Sequence, residues 1–299
     1  MSLGIQVTNL LSRAFQSTFF RESYTPQTTR RNMDLIAGVP LALLKRKPST
    51  AIESIDIDGL PAELISTGSH QNQILLLLHG GSYCMGTLRS FRKNAWQVSR
   101  ACDSKVLHIE YRLAPEGPYP AALEDAKKAY RFLLKKHPGS AISLGGVSAG
   151  GGLALALTLA LRDEGEKLPE RVFVVCPWGD LTCSGDSIQK NQAKDFWLSP
   201  TSLKNWSEYY VQKANPNDPY VSPVFGDFKN FPPLLIFCGD QEVLLSDSEK
   251  ICELAKKSGV QTEFYLGKNM QHVWFLAFPF LKESHSAFAA LKKFMGASR

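Results

Sequence analysis

The sequence predicts an α/β fold, a mainly parallel sheet with helices on both faces, and three observations carry that expectation. Short apolar runs alternate with longer amphipathic stretches from residue 74 onward, the pattern of strand–helix–strand units. The runs Ile74–Leu78 and Leu234–Cys238 are continuously apolar, as strands buried on both faces must be. At 299 residues and 44% hydrophobic, the chain can bury one large core, and α/β folds routinely exceed about 200 residues as a single domain.

Taken in order, residues 1–50 place Leu10, Leu11, Ala14, Phe15, Phe19 and Phe20 at helical spacing. Residues 54–67 read as two short strands around Asp58-Gly59, a dipeptide suited to a tight hairpin. Strands are expected at 74–78 and 105–110, then helix 121–136, strand 141–145, helix 149–163, strands 171–176 and 234–238, helix 245–258, strand 261–266 and helix 282–296. Residues 185–215 break the alternation and carry Phe196, Trp197, Leu198, Trp206, Tyr209, Tyr210 and Val211. In such a sheet a ligand belongs at the carboxyl ends of the strands.

Ser148 sits in Gly145-Gly-Val-Ser-Ala-Gly-Gly-Gly152, between the strand 141–145 and the helix 149–163. Gly-x-Ser-x-Gly at a strand-to-helix junction is the pattern of a nucleophile elbow. The turn is so tight that side chains at Gly146 and Gly150 would strike neighbouring backbone, and the helix N-terminus then faces developing negative charge. A serine in an ordinary helix-start turn is the plain alternative, and two further features weigh against it. His79-Gly80-Gly81 follows the apolar run Ile74–Leu78, and such a loop offers main-chain N–H groups to an oxyanion. Among six histidines, His70 reads as solvated, His108 as a core or sheet-edge residue, His137 as a turn residue and His285 as part of the last helix. His79 belongs to the glycine loop, which leaves His272, in a loop after strand 261–266, as the general base, in the order Ser, acid, His.

The bulk properties exclude other classes. The net charge of +6 comes from 34 basic and 28 acidic residues, with lysine pairs such as Lys127-Lys128 and Lys292-Lys293 in expected surface helices. The basic run Leu44–Pro48 lacks interleaved aromatics, so a nucleic-acid partner is not expected. No apolar stretch approaches the ~18 residues of a membrane span, and Met1-Ser2-Leu3-Gly4 lacks a charged start and an apolar signal core. Six scattered cysteines show no CxxC or metal-ligand spacing, which fits reduced thiols in the cytoplasm and no zinc site. Cys176 and Cys238 read as small apolar fillers in buried strands, and Cys84 as a packed neighbour of the glycine loop rather than a pocket residue.

Six motifs in order resemble the hormonesensitive-lipase-like (bacterial family IV) carboxylesterases of the α/β-hydrolase superfamily. They are His79-Gly80-Gly81, Tyr111–Glu116, Pro120–Ala126, Gly146–Gly151, Asp218–Pro223 and His272. The resemblance runs from about Ile52 to near the C-terminus. It implies an α/β-hydrolase fold with a helical cap built from residues 1–50 and about 185–215, over a catalytic domain at 51–299. It departs in three places: Ser82 stands where a third glycine is usual, Val147 precedes the nucleophile, and the acid segment reads Gly239-Asp240-Gln241-Glu242-Val243-Leu244-Leu245.

That last segment leaves the acid open between Glu242 and Asp240. Asp247 lies about a turn into the next helix and reads as an N-terminal helix carboxylate. Asp240 comes early in the loop, where a short carboxylate braces the turn, and Glu242 is favoured because family members carry Glu-Val-Leu-Leu here. The expected chemistry is ester hydrolysis through an acyl-enzyme on Ser148, with His272 as base, Glu242 orienting it, and N–H groups of Gly80, Gly81 and Ala149 binding the oxyanion. Activity should fall as His272 protonates. The resemblance implies a small, short-chain acyl ester as substrate, no metal or organic cofactor, and possible homodimers. Amidase, lactone hydrolase or deacetylase chemistry uses the same groups, and a non-catalytic small-molecule receptor is the remaining alternative.

Overall fold

A computed structural model describes residues 24–38, 41–47, 49–68 and 73–296, together with 4–6, 8, 10, 12 and 13. Leu11, Ala14, Phe15, Phe19 and Phe20 of the expected N-terminal apolar face lie outside the described residues, as does His70.

Residues 4–6, 8, 10, 12 and 13 are helical, and α1 (Pro26–Ala37) and α2 (Leu41–Lys45) follow. Strands β1 (Thr50–Ile57) and β2 (Leu60–Thr67) then pair antiparallel, with Ile57 opposite Leu60. Their two-residue turn puts Asp58 at φ 50° and Gly59 at φ 86°, the left-handed pair that matches strand twist and favours Asp-Gly. The first strand begins four residues before the sequence suggests because its apolar signal is weak: Thr50, Ala51 and Glu53 leave only Ile52 well buried.

The chain continues through β3 (Gln73–Leu78), α3 (Leu88–Cys102), β4 (Lys105–Ile109), α4 (Ala121–Lys136), β5 (Ala141–Val147), α5 (Ala149–Asp163) and β6 (Val172–Val175). After these come α6 (Ser187–Lys190), α7 (Pro200–Val211), β7 (Leu234–Gly239), α8 (Leu245–Lys257), β8 (Thr262–Gly267), α9 (Trp274–Ala277) and α10 (Lys282–Gly296). The eight strands form one sheet in the order β1-β2-β4-β3-β5-β6-β7-β8. β2 meets β4 antiparallel, and every later pairing is parallel. Successive side chains of β3 point to opposite faces. Leu76 and Leu78 join a core with Leu123, Tyr130, Leu153 and Ile251 from α4, α5 and α8. Leu75 and Leu77 join a second core with Val98, Phe237, Leu291 and Phe294, under α3 and α10. Helix α5 is buried continuously from Ala149 to Leu161, which is why its sequence is apolar all round.

α3 falls where the sequence reading placed no element. Its signals are a reciprocal cap between Thr87 and Ser90 and the buried spacing Ala95, Val98, Cys102. The polar residues Ser90, Arg92, Gln97 and Ser99, buried on the same helix, interrupt the apolar pattern. Among the described residues, no helix is long and apolar enough to cross a membrane.

Candidate active site

Ser148 occupies the junction of β5 and α5 at φ 56° and ψ −121°, a strained conformation for a non-glycine residue. Neighbouring backbone enforces it. Ser148 N–H donates to the Val175 carbonyl at 2.8 Å, and its own carbonyl accepts from Gly151, Gly152 and Trp178 N–H. A Cβ on Gly146 would run into the Gly150 carbonyl, and one on Gly150 into the carbonyls of Leu78 and His79. The glycines therefore let β3 and the turn approach closely enough to set Ser148 beside the glycine loop.

His272 follows β8, and its Nε2 lies 3.0 Å from Ser148 Oγ. Its Nδ1 lies 2.6 Å from Glu242 Oε2, and both side chains are nearly sealed from solvent. Burial alone pulls the imidazole pKa down, but the charge and hydrogen bond of Glu242, with Asp195 further off, outweigh it and raise it above 6.5.

The other two carboxylates point elsewhere. Asp240 Oδ1 accepts from Asn269 N–H and Gln241 Nε2, both at 2.7 Å, so it braces the loop that carries His272 without touching the ring. Asp247 lies in the first turn of α8. Its Oδ2 accepts from Gly179 and Asp180 N–H, each at 2.9 Å, and burial pushes its carboxyl well up.

Cys176 differs from the filler role its sequence context suggests. It lies one residue beyond β6 at φ 50°, and Sγ turns to Glu242 Oε1 at 2.9 Å. Cys238 Sγ lies 3.5 Å from the same oxygen. Cys176, Glu242 and His272 place ligand-type atoms within 4.8 Å of one another, already tied by these hydrogen bonds. Cys84 is buried with Sγ directed at the Trp206 carbonyl, 3.8 Å away, and does not line the cavity.

Among the described residues, the N–H groups of Gly80, Gly81 and Ala149 have no protein acceptor. Gly80 packs so close that a Cβ would meet Ser148 Cβ at 3.1 Å, and Gly81 holds φ +114°. Ser82 continues at φ 53° and Tyr83 at φ 59°, so the position usually filled by a third glycine keeps the glycine-like conformation. His79 anchors this loop from behind. Its ring stacks on Tyr111 with centroids 4.1 Å apart, and the Tyr111 hydroxyl donates to the His79 carbonyl at 2.8 Å. Burial lowers the His79 pKa to about 4, leaving it neutral. The other described histidines, His108, His137 and His285, stay away from the cavity.

Ser148, Gly80, Gly81 and His272 open into a cavity of about 170 Å³. Of its further walls, Thr29 and Met33 of α1 and Phe91 and Asn94 of α3 carry no signal in the sequence, whereas Trp197, Leu198 and Trp206 belong to the apolar 185–215 segment. Arg30 holds α1 down by donating to the Cys84 and Ala114 carbonyls at 2.6 Å each and pairing with Glu116. Asp195 was likewise missed. Its carboxylate accepts from Trp197, Leu198 and Val243 N–H, joining the 185–215 segment to the Glu242 loop. Burial pushes its pKa up to about 6 against the opposing pull of His272. A wider open groove, over β1–β2 and α4, has no serine–histidine pair among its lining residues.

A family model described as alpha/beta hydrolase fold matches residues 75–276. An acetyl-hydrolase of Streptomyces hygroscopicus is 38% identical over 242 residues, covering 81% of each chain. An esterase of Acinetobacter venetianus is 32% identical over 254 residues, covering 84% of each. The solved structure of EstE5 soaked with ethyl alcohol superposes with a TM-score of 0.91 at 33% identity, covering 99% of both chains. A crystal structure of an esterase from the bacterial hormone-sensitive lipase family gives 0.91 at 34% identity, covering 99% of this chain and 98% of that one. The chain belongs to the hormone-sensitive-lipase-like family of α/β hydrolases and is a carboxylic ester hydrolase.

Proposed function

We propose that Ser148, His272 and Glu242 are the catalytic triad of this serine carboxylesterase. The supporting observation is the unbroken line from Ser148 Oγ through His272 to Glu242, at 3.0 and 2.6 Å, opening into a cavity. His272 Nε2 takes the Ser148 proton as Oγ attacks the ester carbonyl. Glu242 fixes the tautomer with the proton on Nδ1 and stabilises the imidazolium that forms. Gly80, Gly81 and Ala149 N–H groups, which have no other acceptor among the described residues, bind the oxyanion. Removing one such donor costs about 10²–10³ in turnover in comparable sites. The tetrahedral intermediate collapses as His272 protonates the leaving alkoxide, and water then releases the acyl group by the same steps.

The substrate is a small, short-chain acyl ester. The cavity of about 170 Å³ is smaller than the roughly 300–1,000 Å³ of pockets for drug-sized ligands, and Met33, Met85 and Trp206 line it with apolar surface. The acetyl-hydrolase name of the Streptomyces relative agrees in size. Residues 1–50 and about 185–215 act as cap segments over the catalytic domain at 51–299, a reading supported by Met33 and Trp206 in the cavity wall. A cytoplasmic setting fits six cysteines without disulfide or metal spacing. A homodimer fits β8, the last strand of the sheet, which exposes Leu266.

The test is Ser148→Ala measured against p-nitrophenyl acetate. Turnover should be lost while the melting temperature is retained. Full activity in that variant would end the reading.

A further inference from the structure

We propose that Cys176 is a positioning residue that holds the acid and the base of the triad in register through its thiol. The inference rests on the triad reading above. Two hydrogen bonds converge on one sulfur. Sγ donates to Glu242 Oε1 at 2.9 Å, and Val273 N–H donates to Sγ at 3.3 Å. Val273 directly follows His272, so one atom ties the acid loop after β7 to the histidine loop after β8.

The backbone on both sides is strained to make this meeting. Cys176 holds φ 50° and Val273 φ 52°, and a positive φ at a β-branched residue is a true outlier. Such strain persists only where the surroundings over-determine it, and it clusters at functional sites. Cys176 is fixed from its other side as its N–H donates to the Phe237 carbonyl at 2.7 Å, continuing the β6–β7 register beyond Val175 opposite Phe237. Cys238 also approaches Glu242 Oε1, but at 3.5 Å and equally near its neighbour's carbonyl, so Cys176 is the principal thiol donor.

The chemistry suits the task. Burial, with help from Cys238 and the Glu242 charge, drives the Cys176 thiol pKa well up, so it stays S–H and can donate. Glu242 then has one oxygen for His272 and the other held by Cys176 and the Gly239 N–H. This prevents the carboxylate from rotating away from the ring. A donor on Oε1 also draws charge from the carboxylate and so tempers how strongly Glu242 favours imidazolium over imidazole.

The experiment compares Cys176→Ala and Cys176→Ser with wild type and Ser148→Ala, on p-nitrophenyl acetate. It reads kcat, KM, the acid limb of kcat/KM and the melting temperature. Cys176→Ala should lower kcat by roughly 10- to 100-fold with KM nearly unchanged, since a misplaced catalytic group costs up to about 100-fold. Cys176→Ser should recover most of that loss, because a hydroxyl donates and accepts in the same place. The acid limb should order as Ala above Cys above Ser, following donor strength. If Cys176→Ala does not fold, the downward shift in Cys176→Ser decides alone. Wild-type kcat with an unmoved limb in Cys176→Ala, or an unmoved limb in Cys176→Ser, would overturn the inference. Both would leave the triad intact so long as Ser148→Ala is inactive. Activity in Ser148→Ala would instead overturn the triad.

Discussion

Glu242→Gln, set against Asp240→Asn, separates the two acids that the sequence left open. Glu242 Oε2 lies 2.6 Å from His272 Nδ1, and the carboxylate is fully buried. Glutamine keeps the shape but removes the charge, and its amide can present N–H to Nδ1. That would move the ring proton to Nε2, the atom that must accept from Ser148 Oγ at 3.0 Å. In a comparable serine–histidine pair, amide for acid lowers kcat about 10⁴-fold, which converts to about 5.4 kcal/mol of barrier. Asp240→Asn keeps the oxygen that accepts from Asn269 N–H. Its turnover should stay within about two-fold of wild type, the scale of about 0.5 kcal/mol for a change that disturbs no key contact. Initial rates on p-nitrophenyl acetate, with a melting curve for each variant, supply the comparison. A collapse in Asp240→Asn with Glu242→Gln nearly intact would refute the reasoning.

Further outcomes follow from the same geometry. Burial lowers the His272 pKa, but Glu242 and Asp195 raise it more, to a net value above 6.5. The base works as neutral imidazole, so activity is present above that raised value and lost as pH falls through it. A kcat/KM profile should therefore show an acid limb with its midpoint above 6.5, and a midpoint well below that would contradict the pairing. Gly150→Ala puts a Cβ against the Leu78 and His79 carbonyls. Overpacking costs typically about 1–3 kcal/mol, so both melting temperature and turnover should fall; an unchanged melting temperature would show that the elbow has room to spare.

The parts of the molecule legible in the sequence are those where one physical demand acts alone. The β3 run Ile74–Leu78 and the all-apolar helix α5 read directly because they are buried on every side. The glycines at 146 and 150 read because only backbone clash requires them. Helix α3 was hidden because buried polar residues interrupt its apolar spacing. Thr29, Met33, Phe91 and Asn94 could not be placed in the cavity because their approach depends on how distant elements pack. Asp195 looked like one carboxylate among many, since its three N–H partners come from both its own turn and a loop near residue 243. For Cys176, small apolar character is compatible with a strand filler. Only the turn at φ 50° aims its sulfur at Glu242.

Covalent capture of the nucleophile tests the mechanism most directly. The protein is treated with a fluorophosphonate, and the labelled peptide is identified by tandem mass spectrometry, with Glu242→Gln and His272→Ala as slow-labelling controls. One adduct should form per chain, on Ser148, in step with loss of ester hydrolysis. Complete inactivation with the adduct on another side chain, or with no adduct on Ser148, would contradict acyl transfer through this serine.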